Sequence, residues 1–149
     1  MLPITLEQIE LDVEVEVESP VDAIRAAGNL LVKTESASSD YVDAMVASYE
    51  KLGPYIVLAP HIAIPHARPE HGVKKQCMSI VRLKKPIKFG HPANDDVSLV
   101  IAIGGVDTNF HIKMLQALSE LLTDEDKLKR LKTSTDKAEI LCTINKEEK

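Results

Sequence analysis

No tryptophan occurs in the 149 residues, and aromatic side chains make up only 3% of them. Platforms for stacking nucleic-acid bases are therefore scarce. The formal net charge of −5 adds a field that repels phosphate backbones, so nucleic acid is not expected as a partner. Cysteine is scarce too. Cys77 and Cys142 form neither a metal-spaced pair nor a disulfide framework. No stretch approaches the roughly 18 apolar residues of a bilayer span, and the longest candidate, Leu99 to Ile103, is strand-sized. Met1-Leu2-Pro3-Ile4-Thr5 lacks a basic segment followed by an apolar core. No signal peptide is therefore expected, and the cytoplasm is the expected compartment. What is present is 44% apolar and 28% charged residues, a globular balance. The length suits one domain, 1–149, with enough chain to bury a core.

Strand and helix patterns are interspersed along the chain. Asp12 to Glu18 alternates strictly, the mark of a half-buried strand with its glutamates in solvent. Ser19-Pro20 opens a helix, serine as cap and proline at the first helical position, with Val21, Ile24, Gly28 and Leu31 on one face. After the polar linker Thr34–Asp40, a second helix carries Val42, Met45, Val46 and Tyr49 inward until Gly53-Pro54 ends it. Short strands are expected at Tyr55–Leu58 and Ile62–Ile64, and a longer one at Gln76–Leu83, followed by a basic turn at Lys84-Lys85-Pro86. A loop spans Lys88–Asp96. Val97 to Ile103 is nearly continuous in apolar residues, which suggests a central strand buried on both faces. Thr108 or Asn109 can cap a third helix with Ile112, Leu115, Leu118 and Leu122 inside. A charged helix from Asp124 to Leu131 and a last helix over Thr135–Ile144 complete the pattern. The fold class is α/β, a three-layer sandwich with a central mixed sheet flanked by helices.

The stretch with most chemistry is Ile62-Ala63-Ile64-Pro65-His66-Ala67-Arg68-Pro69-Glu70. Pro65 biases Ile64 towards an extended conformation, and Pro69 repeats the restriction four residues on. His66 stands pinned between them. Neutral imidazole is a nucleophile, and its ordinary pKa of about 6.5 leaves much of it neutral near pH 7. Arg68 offers a planar fork that fits phosphate oxygens. The stretch thus suits uptake of a phosphoryl group, and the competing reading is a histidine that merely packs or lies on the surface. His111 falls in the first turn of the third helix, where free N–H groups and the helix dipole favour an anion and a neutral imidazole. It either faces a phosphate shared with His66 or only caps and packs.

Other chemistries fit less well. His61, His66 and His71 are spaced five apart, matching neither a helical pair nor a zinc finger, so no metal is expected. Gly104-Gly105 lacks the Lys-Ser/Thr pair of a phosphate-binding loop. Ser79, Ser98 and Ser119 have no nucleophile-elbow context. His71 and His91, on polar loops, are expected in solvent.

Gly53-Pro54-Tyr55, the run from Ile62 to Glu70, the helix beginning Tyr41-Val42-Asp43-Ala44-Met45 and the turn Asp107-Thr108-Asn109-Phe110-His111 together carry a resemblance. From about Ser19 to Leu141 the chain resembles the EIIA domains of the mannitol/fructose superfamily (type 2) of the bacterial sugar phosphotransferase system. The arginine following Pro65-His66 looks closest to the ascorbate branch. The resemblance implies a phosphocarrier, no cofactor is expected, and the sequence shows no fused EIIB, membrane or DNA-binding domain, which favours a stand-alone carrier. His66 would accept phosphate from phospho-HPr and pass it to the cysteine of a cognate EIIB, itself associated with a membrane EIIC. His111 would support the phosphate by a hydrogen bond. Mannitol-type members carry an arginine on the second helix, at the position aligned with Tyr49, and Arg68 would take over that charge. A regulatory EIIA-like module, whose phosphorylation controls binding to another protein, is the alternative. A binding domain with a purely structural His66 is a third.

Overall fold

In the computed structural model, which describes residues 8–134 and 139–140, five strands among the described residues form one mixed sheet. In chain order the elements are β1 (Ile9–Val15), α1 (Pro20–Lys33), α2 (Ser39–Leu52), β2 (Val57–Ala59), β3 (Ile62–Ala63), β4 (Cys77–Ile87), β5 (Val97–Gly104), α3 (Thr108–Leu122) and α4 (Glu125–Thr133). Short 3-10 turns lie at Pro54–Ile56 and Pro69–His71. The spatial order is β1-β4-β5-β3-β2. β5 runs parallel to β3 and antiparallel to β4. β1 is parallel to β4, and β2 is antiparallel to β3.

The continuous apolar run of β5 puts it at the centre, as expected: Leu99, Val100, Ile101 and Ala102 are all 0% exposed. Its alternate side chains feed two cores. Val100 and Ala102 pack with α1 and α2, while Leu99, Ile101 and Ile103 pack with α3 and α4. That is the expected three-layer α/β sandwich. Gly28 lets α1 and α2 cross closely, since a Cβ there would stand 2.8 Å from Val42 Cγ2. Ser19 caps α1, its Oγ accepting from Asp22 N–H at 3.1 Å.

Several expected boundaries move. The first strand is Ile9–Val15, not Asp12–Glu18. Glu14 takes a left-handed φ of 57°, and the register shifts between Asp12 and Val15. The irregularity swaps faces: Leu11 and Val13 pack with α3 and α4, Val15 and Val17 with α1 and α2. Lys84-Lys85-Pro86 is no turn but part of β4, exposed along it. Pro86 is tolerated there because the ladder to β5 shifts between Arg82 and Ile87. Tyr55 lies in a 3-10 turn, and its strand begins at Val57. α3 is capped by Asp107, whose carboxylate accepts from Phe110 N–H at 2.8 Å. Its buried face is accordingly Phe110, Met114, Leu118 and Leu121, and Ile112 is 47% exposed. The helix expected over Thr135–Ile144 lies outside the described residues except for Glu139 and Ile140, which are helical.

Candidate functional site

β3 and β5 are parallel, and their carboxyl ends open at the same edge of the sheet. A crevice at that place is where α/β sheets most often bind their ligands. β3 stops at Ala63, but the chain stays anchored: Ile64 N–H donates to Ile56 O at 2.8 Å, and Ile103 N–H donates to Pro65 O at 3.3 Å. His66 follows on this fixed backbone. Its Nδ1 lies 2.8 Å from the Ile64 carbonyl oxygen, which can only accept, so the ring donates a proton there and Nε2 keeps its lone pair. Tyr55 packs edge-on to the same ring, with centroids 6.0 Å apart.

His111 comes from the opposite side. β5 ends at Gly104, and the Asp107 cap starts α3 so that His111 falls in its first turn. The two imidazole centroids are 5.2 Å apart, with planes inclined at 53°. Burial first, and the neighbouring His66 second, hold His111 below its ordinary pKa of 6.5. Its Nδ1 is buried and has no hydrogen-bond partner.

His66, Arg68 and His111 line one open cleft of about 730 Å³. Arg68 is exposed and, among the described residues, makes no ion pair, either with Glu70 in the same cleft or elsewhere. Tyr49 does not belong to this cleft. Its hydroxyl donates to Phe89 O at 2.6 Å and its ring packs edge-on to Phe89. An arginine in its place would leave from the same side of α2, so position 49 is not where α2 serves this cleft. The residues of α2 that line it are Ala44, Ala47, Ser48, Lys51 and Leu52. Lys51 is thus a second cation at the rim, and neither it nor Ser48 was singled out from the sequence. Their helical spacing was visible, but small and polar side chains give no hydrophobic signal. Tyr55 belongs to the Gly53-Pro54-Tyr55 run of the resemblance, but nothing in the sequence aims its ring at His66.

The other histidines divide. His71 is exposed at the cleft rim. His61 occupies the β2–β3 turn at φ 70°, its Nδ1 2.8 Å from Asp96 O. His91 Nδ1 accepts from the Ala93 and Asn94 amides, at 3.1 and 2.9 Å, and so pins its own loop. Among the described residues no group of three or more His, Cys, Asp or Glu is placed to hold a metal ion. No helix among them is long and apolar enough to cross a membrane.

The layer order and the paired imidazoles agree with a known class. Residues 3–147 match the family model of the phosphoenolpyruvate-dependent sugar phosphotransferase system, EIIA 2, and the chain belongs to that family of phosphocarriers. It is 36% identical over 141 residues to an ascorbate-specific PTS system EIIA component of Escherichia coli (strain K12), covering 94% of this chain and 92% of that protein. Among solved structures, it superimposes with a TM-score of 0.80 on the mannitol-specific cryptic phosphotransferase enzyme IIA of Escherichia coli, at 33% identity over 98% of this chain and 96% of that one. The TM-score is also 0.80 against the complex of enzyme IIAMTL and phosphorylated enzyme IIBMTL from the same organism, at 30% identity, covering 99% of this chain and 100% of the matched one.

Proposed function

We propose that the chain, as one EIIA domain, carries a phosphoryl group on His66 Nε2, taken from phospho-HPr and delivered to the cysteine of a cognate EIIB in the cytoplasm. The observation that carries this is the Nδ1–Ile64 O contact of 2.8 Å. It fixes the tautomer that leaves the Nε2 lone pair free to attack phosphorus. In the first step the new N–P bond forms on His66 as the donor's bond to phosphorus breaks, and in the second the EIIB sulfur takes the group and His66 regains its lone pair.

His111 supplies the complementary group. An unpaired buried lone pair is tolerated more readily than an unpaired buried N–H, so its proton belongs on Nε2 and Nδ1 is the bare atom. Nε2–H then donates to the phosphoryl oxygens from across the cleft. Arg68 supplies charge. The ascorbate-specific relative supports ascorbate as the sugar of the system, with a membrane EIIC downstream of EIIB.

Incubation of the chain with phospho-HPr tests the reading. Mass spectrometry should find one acid-labile, base-stable phosphate, absent in His66→Ala, that chases onto the EIIB of an ascorbate system. Phosphate that enters but reaches no EIIB would favour a regulatory EIIA-like module. Phosphate taken up by His66→Ala would overturn the site.

A further inference from the structure

The ladder between β3 and β5 is interrupted beside His66 by a side chain. Ile62 pairs with Leu99 and Ala63 with Val100, and the same register continued sets His66 opposite Ile103. A parallel ladder there needs two backbone bonds. One runs from Ile103 N–H to the carbonyl before His66, the other from the N–H after His66 to the Ile103 carbonyl. The first is made, to Pro65 O at 3.3 Å. The place of the second is taken by Tyr41, reaching in from α2. Ala67 N–H donates to Tyr41 Oη at 3.2 Å, and Tyr41 O–H donates to Ile103 O at 2.6 Å. The Ala67 carbonyl is also 3.3 Å from the hydroxyl, but a single proton goes to the closer acceptor. Tyr41 is 0% exposed, so water does not compete for these bonds. Burial raises its pKa, so the hydroxyl stays a donor across the working pH range.

We propose that the Tyr41 hydroxyl is a spacer spliced into the β3–β5 ladder, holding the chain one oxygen away from β5 at His66 and thereby setting where the His66 ring stands relative to His111. The end of β5 is tied to both rings. Ile103 holds Pro65 directly and Ala67 through Tyr41, and Gly105 lies so close to α3 that a Cβ on it would stand 3.1 Å from His111 N. Removing the hydroxyl lets Ala67 N–H close directly on Ile103 O. His66 then shifts towards β5, and the 5.2 Å separation of the rings changes. Tyr41 touches no reacting atom in this arrangement; it is a positioning residue. Its consequence for rate rests on the phosphocarrier reading, whereas its geometry does not.

The test is Tyr41→Phe in the full chain, which keeps the ring and removes only the oxygen. Transfer from phospho-HPr should lose about 10- to 100-fold in kcat, the scale of an ångström-sized misplacement, while KM for phospho-HPr stays unchanged because no docking atom has moved. Val42→Ala, a core change on the same helix against α1, should lower stability and leave kcat alone. Two NMR measurements need no phosphate. The ring ¹⁵N shifts of His66 should move in Tyr41→Phe, and the wild type should show a slowly exchanging Tyr41 hydroxyl proton with a cross-peak to the Ala67 amide. The second stands even if Tyr41→Phe does not fold. Wild-type kcat and unmoved His66 shifts in Tyr41→Phe, or no such hydroxyl proton in the wild type, would overturn the spacer. A wild type that takes no phosphate from phospho-HPr would remove the phosphocarrier reading, with the NMR results still deciding the geometry.

Discussion

Two imidazoles 5.2 Å apart suit the different roles proposed for them because the backbone treats their Nδ1 atoms differently. His66 Nδ1 has the Ile64 carbonyl; His111 Nδ1 has nothing. One ring therefore offers a lone pair and the other an N–H. His111→Ala should still accept phosphate at His66 but transfer it about 10²–10³ more slowly, the usual cost of one preorganised donor. Measured transfer to EIIB at the wild-type rate would refute this role. The lowered pKa of His111 adds a sign that can be checked. Its folded pKa lies below 6.5, so acidification from above 6.5 protonates the unfolded chain first. The site's contribution to stability is complete above pH 6.5 and is lost as pH falls through the folded value. Phosphorylation reverses the second cause, because an anion replaces a like-charged ring. His111 should then titrate at higher pH in the phosphorylated protein, as NMR would show. Charge is a separate matter. Arg68 and Lys51 both border the cleft, one from the His66 loop and one from α2. The loose transition state of phosphoryl transfer spreads charge over three equatorial oxygens, which a bidentate fork meets better than an ammonium. Arg68→Lys should therefore transfer nearly as poorly as Arg68→Ala, with Lys51→Ala affecting the rate less than either. Equal rates in all three variants and the wild type would leave the amides of the first turn of α3 as the source of positive potential.

At the scale of elements, the site depends on how closely the end of β5 meets the start of α3. Gly105 makes that junction. A Cβ on it would stand 2.8 Å from Phe110 Cδ2 and 3.3 Å from His111 Cα, and backbone cannot yield as a flexible side chain does. Gly105→Ala should push the first turn of α3 outward and slow transfer by about 10²-fold, with His66 still phosphorylated. Rates for the two half-reactions would show it, and an unchanged transfer step would mean that the junction has slack. This junction also marks where sequence reading stops. β5 was legible because Val97 to Ile103 is apolar throughout, and α1 because Ser19-Pro20 is an unambiguous start. The phase of α3 was not. Ile112 looks like a core residue, yet the Asp107 cap turns Phe110 and Met114 inward and leaves Leu115 only partly buried at the core's edge. The His66–His111 pairing could be anticipated because both residues follow strands. Tyr41 could not, because its partners lie 26 and 62 residues away in sequence and only the sheet register brings them together.

For the whole molecule, the proposed relay sets a condition on shape. Two proteins would have to reach one nitrogen in turn, which requires His66 to lie in an open depression, and it is half-buried in an open cleft. Leu52 (62% exposed) and Tyr55 (38%) line that cleft, while Val106 (44%), just before α3, and Ile112 (47%), next in sequence to His111, are exposed at the start of α3. Folding gains nothing from leaving these outside, whereas docking gains if they are covered transiently. Contacts of this kind belong to interfaces of about 1,200 Å² or less, small enough to release each partner between steps. A single collar serving both partners makes a specific prediction. Leu52→Asp and Ile112→Asp should each raise KM by about tenfold for phospho-HPr as donor and for EIIB as acceptor, with kcat and thermal stability near wild type. The two half-reactions, run with each partner titrated separately, measure this directly. An effect on one partner alone would divide the collar into two docking faces. Wild-type KM for both partners would place docking elsewhere on the surface and leave the exposed side chains unexplained.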